Sequence, residues 1–127
     1  MATILLVEDT PANRALATKL LRAAGHEVLS ADTATDGIAL ARERLPDLVL
    51  MDLGLPDMDG WQALSELRRA NGAVARLRIV AFTAHAMVGD RDRAIAAGFD
   101  GYLSKPISVH DLPQQVARFL RGKQEDG

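Results

Sequence analysis

The stretch Leu48-Val49-Leu50-Met51-Asp52 decides the fold class, because four consecutive apolar residues end directly at a carboxylate. An uninterrupted apolar run of this length is typical of a strand that is buried on both faces, as in a parallel sheet covered by helices. Residues 4–7 and 79–82 repeat the pattern. These three segments predict the central strands of a parallel sheet.

Amphipathic segments separate the apolar runs, and several of them carry helix-start or helix-stop signals. Thr10-Pro11 offers an N-cap residue followed by proline at the first helical position. Thr33 with Asp36 resembles a capping box, which predicts the start of a second helix. A short helix over residues 90–97 is expected to end at Gly98.

Two shorter apolar segments, residues 28–29 and 102–103, complete an alternation of five strands with five helices. This alternation predicts an α/β fold with a five-stranded parallel sheet, strand order 2-1-3-4-5 and helices on both faces, the flavodoxin-like arrangement. The last helix is expected to start late or to bend, because Pro113 is not tolerated in a helix interior. We expect one domain over residues 1–121 and a flexible tail over residues 122–127.

Composition narrows the class of protein. The chain has 127 residues, of which 48% are hydrophobic and 25% charged, as expected for one globular domain. A net charge of −2 argues against nucleic acid or an anionic membrane as partner. The absence of cysteine excludes disulfides, and neither a signal peptide nor a membrane-spanning apolar run is visible. We therefore expect a cytoplasmic protein, and Met1 and the polar tail favour a stand-alone chain over an excised fragment.

Polar side chains follow four of the predicted strands at the point where each strand ends. Glu8 and Asp9 follow the first strand, Asp52 the third, Thr83 the fourth, and Lys105 the fifth. A polar residue at one strand end is unremarkable, but the carboxyl ends of parallel strands meet at one edge of the sheet, where ligands bind. Crowded carboxylates raise one another's pKa unless a cation lies among them. Their hard oxygen atoms suit Mg²⁺ or Mn²⁺.

This set of groups is suited to accepting a phosphoryl group. A carboxylate such as Asp52 can act as the nucleophile and become an aspartyl phosphate. Phosphoryl transfer depends mainly on positioning and on neutralising charge. Lys105 can pair with a phosphoryl oxygen, and the Thr83 hydroxyl can donate to another.

Five motifs and their spacing resemble the receiver domain family of two-component signalling systems over roughly residues 3–121. The resemblance rests on Ile4-Leu5-Leu6-Val7-Glu8-Asp9, Pro46-Asp47-Leu48-Val49-Leu50-Met51-Asp52-Leu53, Leu55-Pro56 with Met58-Asp59-Gly60, Phe82-Thr83-Ala84, and Tyr102-Leu103-Ser104-Lys105-Pro106. Residues 84–108 are similar to single-domain receivers of the cell-cycle type and to receivers attached to hybrid histidine kinases.

The resemblance implies roles for the residues around the acidic cluster. Asp52 would be the phosphoacceptor. Asp9 would be the more direct metal ligand, with Glu8 acting through water, and the backbone carbonyl of Gly54 would complete the protein's share of the metal shell. Gly54 and His85 occupy the positions that tune the lifetime of the phosphoryl group in this family.

The resemblance also implies the parts that respond to phosphorylation. Thr83 would be the switch hydroxyl, and Lys105 would hold a phosphoryl oxygen. The peptide bond between Lys105 and Pro106 would be cis. Tyr102 would turn inward as the switch operates, and the face formed by the fourth helix, fifth strand and fifth helix would then be reshaped for a downstream protein.

The resulting hypothesis is a signalling switch rather than an enzyme, with weak autocatalysed phosphorylation and dephosphorylation. A sensor histidine kinase, a histidine phosphotransfer protein or a small acyl phosphate would donate the phosphoryl group. Output would come through protein–protein contact, since no output domain is visible in the sequence. A receiver fragment of a hybrid histidine kinase is the nearest alternative.

Other functions fit the residues less well. A Mg²⁺-dependent aspartyl-phosphate phosphatase of the haloacid dehalogenase type needs an acid where Gly54 stands, to protonate the leaving group. A flavin mononucleotide binder needs a hydroxyl-rich loop where Glu8-Asp9 would repel phosphate. The intact residue set argues against an inactive pseudo-receiver. Residues 57–60 mimic part of a calcium loop, but a strand precedes them, so we expect a loop-forming role.

Overall fold

The computed structural model describes residues 2–84, 89–105 and 107–125, with side chains as far as residue 121. The strands are β1 (Thr3–Val7), β2 (Glu27–Ala31), β3 (Leu48–Met51), β4 (Ile79–Thr83) and β5 (Gly101–Ser104). The helices are α1 (Pro11–Ala23), α2 (Ala34–Arg44), α3 (Gly60–Arg68), α4 (Asp90–Ala97) and α5 (Asp111–Glu125). These strands form one parallel sheet in the order β2-β1-β3-β4-β5, which confirms the predicted fold class and topology.

The core lies on both faces of the sheet, and the alternation along β1 shows how. Leu5 and Val7 belong to one apolar cluster, whereas Ile4 and Leu6 belong to the other, because successive strand residues point to opposite faces. The first cluster includes buried residues of α2, α3 and α4, and the second includes those of α1 and α5. Burial on both faces explains why the central strands are continuous apolar runs.

The first two helices begin where the sequence predicts. The Thr33 hydroxyl accepts a hydrogen bond from the Asp36 amide at 3.1 Å, which confirms the predicted cap of α2. Thr10 occupies the N-cap position before Pro11, but its side chain makes no capping hydrogen bond. In that helix the proline at the first position, rather than the threonine hydroxyl, is the feature that marks the start.

The last helix starts late, which is one of the two possibilities that Pro113 left open. The helix begins at Asp111, whose amide donates to the Ser108 hydroxyl at 3.2 Å. Pro113 therefore lies in the first turn, where no intrahelical donor is lost. The helix continues to Glu125, into the segment expected to be a tail, and the domain boundary at residue 121 stays a prediction.

A short 3-10 helix, Gly72–Arg76, connects α3 to β4 and was not predicted from the sequence. It carries no buried residue, so the chain there lacks the apolar periodicity that a prediction requires. Across the described part of the chain, no helix combines the length and the apolar character needed to cross a membrane.

Candidate functional site

Glu8 is the fully buried carboxylate at the centre of the site, directly after β1. Its amide continues the sheet by donating to the Ala31 carbonyl at 2.9 Å. Its carbonyl accepts from the Arg14 guanidinium at 2.8 Å, and its Oε2 accepts from the Thr10 amide at 3.0 Å. Hydrogen bonds therefore fix both the backbone and the side chain of Glu8, which leaves little freedom for its second oxygen.

Asp52 lies beside Glu8 because β3 is the neighbour of β1 in the sheet. The Asp52 amide donates to the Val7 carbonyl at 3.0 Å, which brings the ends of the two strands together. Asp52 is only 7% exposed, and its carboxylate Oδ1 accepts a hydrogen bond from the Gly54 amide at 3.1 Å. The remaining oxygen, Oδ2, accepts a hydrogen bond from the ammonium group of Lys105.

Lys105, in the segment directly after β5, supplies the positive charge of the site. Its amide donates to the Thr83 carbonyl at 2.8 Å, so the pairing of β4 with β5 continues to Lys105 and places its backbone at the site. Its Nζ lies 3.1 Å from Asp52 Oδ2 and also contacts Glu8 Oε1. The ammonium lies 5.2 Å from the centre of the Phe82 ring, a cation–π contact. One buried ammonium thus bridges two carboxylates.

The acidic residues form a cluster that is short of positive charge. Glu8, Asp9 and Asp52 each place one carboxylate oxygen within 4.8 Å of the others. Asp9 is half-buried and provides the more solvent-accessible side of the cluster. Three carboxylates against the ammonium of Lys105 leave an excess of negative charge in a poorly hydrated place, which is costly without a further cation. The oxygen-only donor set fits a hard divalent ion such as Mg²⁺ or Mn²⁺.

Thr83 lies on β4, the neighbour of β3, and Tyr102 lies on β5, the edge strand beyond it. Thr83 ends β4, is 2% exposed, and is paired in register with Ser104 of β5. Tyr102 packs against the apolar cluster of α2, α3 and α4, and its hydroxyl is buried with no hydrogen-bond partner among the described residues. Burial, with a smaller contribution from the negative charge of Asp90, raises the pKa of Tyr102. The predicted lifetime residue His85 and the predicted cis-proline Pro106 lie outside the described residues.

The loop between β3 and α3 holds a residue that the sequence analysis did not assign to the site. Asp57 accepts from the Ala34 amide at 2.8 Å, the Thr35 amide at 2.9 Å and the Thr35 hydroxyl at 2.5 Å. These bonds, the hydroxyl bond first, lower the pKa of Asp57 to about 2. The sequence indicated only a loop-forming residue there, because its partners are more than twenty positions away.

Gly60 closes the same loop against the backbone that carries Asp52. Its amide donates to the Leu53 carbonyl at 2.9 Å. A Cβ atom on Gly60 would lie 2.5 Å from the Asp52 carbonyl oxygen and 2.8 Å from the Leu53 Cα. The first turn of α3 can therefore approach the site only because residue 60 has no side chain.

Comparison with known proteins agrees with this geometry. Residues 4–117 match the response regulator receiver domain family. The chain belongs to that family. Over 118 residues this receiver is 34% identical to the polar-differentiation response regulator DivK of Brucella anthropi, across 93% of this chain and 95% of DivK. It is 39% identical over 118 residues to the sensor protein GacS of Pseudomonas syringae, across 91% of this chain but only 13% of GacS.

A solved structure supports the same family and bears on the metal. The receiver resembles the receiver domain of the sensor histidine kinase PA1611 from Pseudomonas aeruginosa, with a TM-score of 0.84 and 35% identity over 94% of this chain and 97% of that one. That structure holds a magnesium ion in its active-site cleft. As a two-component receiver, the present chain is a signalling switch rather than an enzyme, which confirms the prediction from the sequence.

Proposed function

We propose that this receiver accepts a phosphoryl group on Asp52 from a histidine kinase or a histidine phosphotransfer protein, and that it signals by protein–protein contact. One observation carries the proposal: Lys105 Nζ lies 3.1 Å from Asp52 Oδ2 inside a cluster of three carboxylates. The acceptor carboxylate, the compensating ammonium and the oxygen donors for a divalent ion are thus within reach of one another.

The transfer step makes one bond and breaks one. An Asp52 carboxylate oxygen attacks phosphorus and forms the acyl-phosphate O–P bond, while the N–P bond of a donor phosphohistidine breaks and its electron pair stays on the imidazole. With a small acyl phosphate as donor, the O–P bond to the donor carboxylate breaks instead. The Gly54 amide, which donates to Asp52 Oδ1, keeps the acceptor carboxylate oriented for this attack.

Residues already at the site would neutralise the negative charge of the phosphoryl group and hydrogen-bond its oxygens. Lys105, now paired with Asp52 and Glu8, would turn to a phosphoryl oxygen. Thr83, at the end of the adjacent strand, would donate its hydroxyl to another. Asp9, Glu8 through water, Asp52 and the Gly54 carbonyl would hold Mg²⁺ or Mn²⁺. A bound divalent ion supplies charge neutralisation for the phosphoryl oxygens.

The surface of α4, β5 and α5 is the proposed output face. Within α4 only Ala94 is buried, so this helix is anchored by little apolar contact. Weakly anchored elements are the ones that move at low energetic cost. Ile95 on the same helix is 47% exposed, which offers a downstream protein an apolar contact. Movement of Thr83 and Tyr102 would reshape this face.

The test is phosphorylation by a small acyl phosphate. The full chain is incubated with acetyl phosphate and Mg²⁺, and the modified residue is located by mass spectrometry after borohydride trapping. The expected result is one phosphoryl group on Asp52, lost when EDTA replaces Mg²⁺ and lost in Asp52→Asn.

Asp36→Asn is the matched control, because Asp36 is an exposed aspartate on α2 outside the carboxylate cluster. This variant is expected to be labelled like the unmodified chain. Labelling that persists in Asp52→Asn, or that does not depend on the metal, would overturn the proposal.

A further inference from the structure

Asp57 holds the β3–α3 loop to the first turn of α2. A helix begins with amides that have no intrahelical partner. In α2 the first two, those of Ala34 and Thr35, donate to Asp57, and the third, that of Asp36, donates to Thr33. The start of α2 is therefore capped partly by its own N-cap residue, Thr33, and partly by Asp57, in a loop more than twenty residues further along the sequence.

The same loop is fixed at two other points. Near its start, the Gly54 amide donates to Asp52 Oδ1. At its end, Asp59 caps α3 by accepting from the Gln62 amide at 2.8 Å, and the Gly60 amide donates to the Leu53 carbonyl. These contacts tie the loop to the site and to α3, and Asp57 ties the stretch between them to α2.

We propose that Asp57 is a positioning residue for the metal site. It lies three residues after Gly54, and its bonds to α2 fix where the backbone between them runs. Loss of those bonds frees this stretch and lets the Gly54 carbonyl leave the metal shell. The inference rests on the proposed function, in which that carbonyl is a metal ligand. It assigns to α2 a part in metal binding, although the carboxylate cluster found among the described residues, Glu8, Asp9 and Asp52, includes no residue of α2.

The contacts favour positioning over a merely stabilising role. Asp57 is exposed, so it adds little to the apolar core. Yet its carboxylate accepts three hydrogen bonds at the positive end of a helix, an arrangement in which charge-assisted bonds are short and directional. Removing a group that orients a metal ligand without itself binding the metal commonly weakens metal affinity.

The experiment measures Mn²⁺ affinity from the electron paramagnetic resonance signal of the free ion. Asp57→Ala is expected to bind Mn²⁺ about tenfold more weakly than the unmodified chain, the lower end of the effect of such groups. Thr33→Ala is the matched control. It removes the other cap of α2 without touching the loop, and its affinity is expected to stay within about twofold of the unmodified chain.

A fall of similar size in both variants would overturn the inference, because the effect would then belong to the stability of α2. Unchanged affinity in Asp57→Ala would also overturn it. If Asp57→Ala does not fold by circular dichroism, Thr35→Val takes its place. That variant loses only the hydroxyl bond and is expected to weaken Mn²⁺ binding in the same direction. An unmodified chain that neither binds Mn²⁺ nor is labelled on Asp52 would contradict the proposed function instead.

Discussion

Lys105 Nζ lies 3.1 Å from Asp52 Oδ2, and both side chains are less than a tenth exposed. The same ammonium contacts Glu8, so its removal leaves the carboxylate cluster without its compensating charge. Lys105→Met is expected to lower the free energy of unfolding by about 3 kcal/mol in EDTA, as for other broken buried ion pairs. Mg²⁺ is expected to restore part of this loss, because it binds only the folded cluster.

Urea denaturation with and without Mg²⁺ measures both effects. Lys19→Met, at an exposed lysine of α1, serves as the control and is expected to change stability by less than about 0.5 kcal/mol. A Lys105→Met variant that is as stable as the unmodified chain in EDTA would contradict the electrostatic account of the cluster.

Gly60 is expected to be intolerant of even one methyl group. A Cβ atom there would lie 2.5 Å from the Asp52 carbonyl oxygen, and backbone atoms cannot rotate away as a side chain can. Gly60 is the first residue of α3, so the helix-propensity advantage of alanine in helix interiors does not apply there, whereas overpacking costs about 1–3 kcal/mol and displaces Asp52. Gly60→Ala is therefore expected to be less stable by urea denaturation and slower in labelling by acetyl phosphate.

Gly54→Ala is the control for stability, because no atom of the described residues, apart from its two chain neighbours, lies within 4 Å of a Cβ at that position. It is expected to unfold at the same urea concentration as the unmodified chain. Equal stability and equal labelling of Gly60→Ala and the unmodified chain would show that the first turn of α3 is not packed tightly against the backbone of Asp52.

The sequence predicted most of the fold because its signals are local. Continuous apolar runs marked the buried strands, and Thr33 with Asp36 marked the start of α2. The site was also predictable, since Asp52 and Lys105 follow strands whose carboxyl ends must meet in a parallel sheet. The contact between the two side chains follows from that topology rather than from any feature of either residue alone.

Contacts between distant side chains and backbone were not predictable. Asp57 caps a helix that begins more than twenty residues before it, and no periodicity or spacing indicates such a pairing. Gly37 presents a similar case: a Cβ there would lie 2.7 Å from a Val7 methyl, a close approach fixed by how α2 packs on β1. Such details depend on the packed structure, which one-dimensional patterns do not contain.

The Asp57 carboxylate is expected to make stability depend on pH at the acid end. Its pKa is lowered from 3.8 to about 2 in the folded chain. A depressed folded pKa stabilises the fold above the unfolded pKa, and this stabilisation is lost as pH falls through the folded value. The difference in melting temperature between the unmodified chain and Asp57→Ala should therefore shrink between about pH 4 and about pH 2.

Thermal unfolding followed by circular dichroism over that range measures the difference. Asp59→Ala, which removes the α3 cap from the same loop, is the comparison variant that shows whether the trend is specific to Asp57. A difference for Asp57→Ala that is constant down to the lowest pH would contradict the predicted linkage.

Tyr102 is expected to contribute its ring rather than its hydroxyl to stability in the unphosphorylated state. The hydroxyl is buried without a hydrogen-bond partner among the described residues, and such a group costs free energy. Tyr102→Phe is expected to unfold at the same or a higher urea concentration, with a gain of up to about 1 kcal/mol. Tyr102→Ala, the contrasting variant, should lose about 3 kcal/mol. A less stable Tyr102→Phe would indicate that the hydroxyl has a partner.

Arg68 is expected to be the main polar anchor at the opposite end of the sheet. Its guanidinium donates to the Gly98 carbonyl at 2.8 and 3.1 Å, to the Leu77 carbonyl at 2.5 Å, and to Asp100 Oδ2 at 2.9 Å. Asp100 Oδ2 in turn accepts from the Ile79 amide, which starts β4. Arg68→Ala leaves several partly buried acceptors unsatisfied and is expected to cost about 2 kcal/mol.

Urea denaturation of Arg68→Ala and of Arg69→Ala tests this assignment, because the neighbouring Arg69 is exposed and should change stability by less than about 0.5 kcal/mol. Arg68→Lys keeps the charge but not the planar set of donors, so it is expected to fall between Arg68→Ala and the unmodified chain. Labelling of Asp52 by acetyl phosphate should be unchanged in all three, since Arg68 acts where β4 begins and the site lies where β4 ends. Equal stability of the Arg68 and Arg69 alanine variants would show that water replaces the guanidinium without cost.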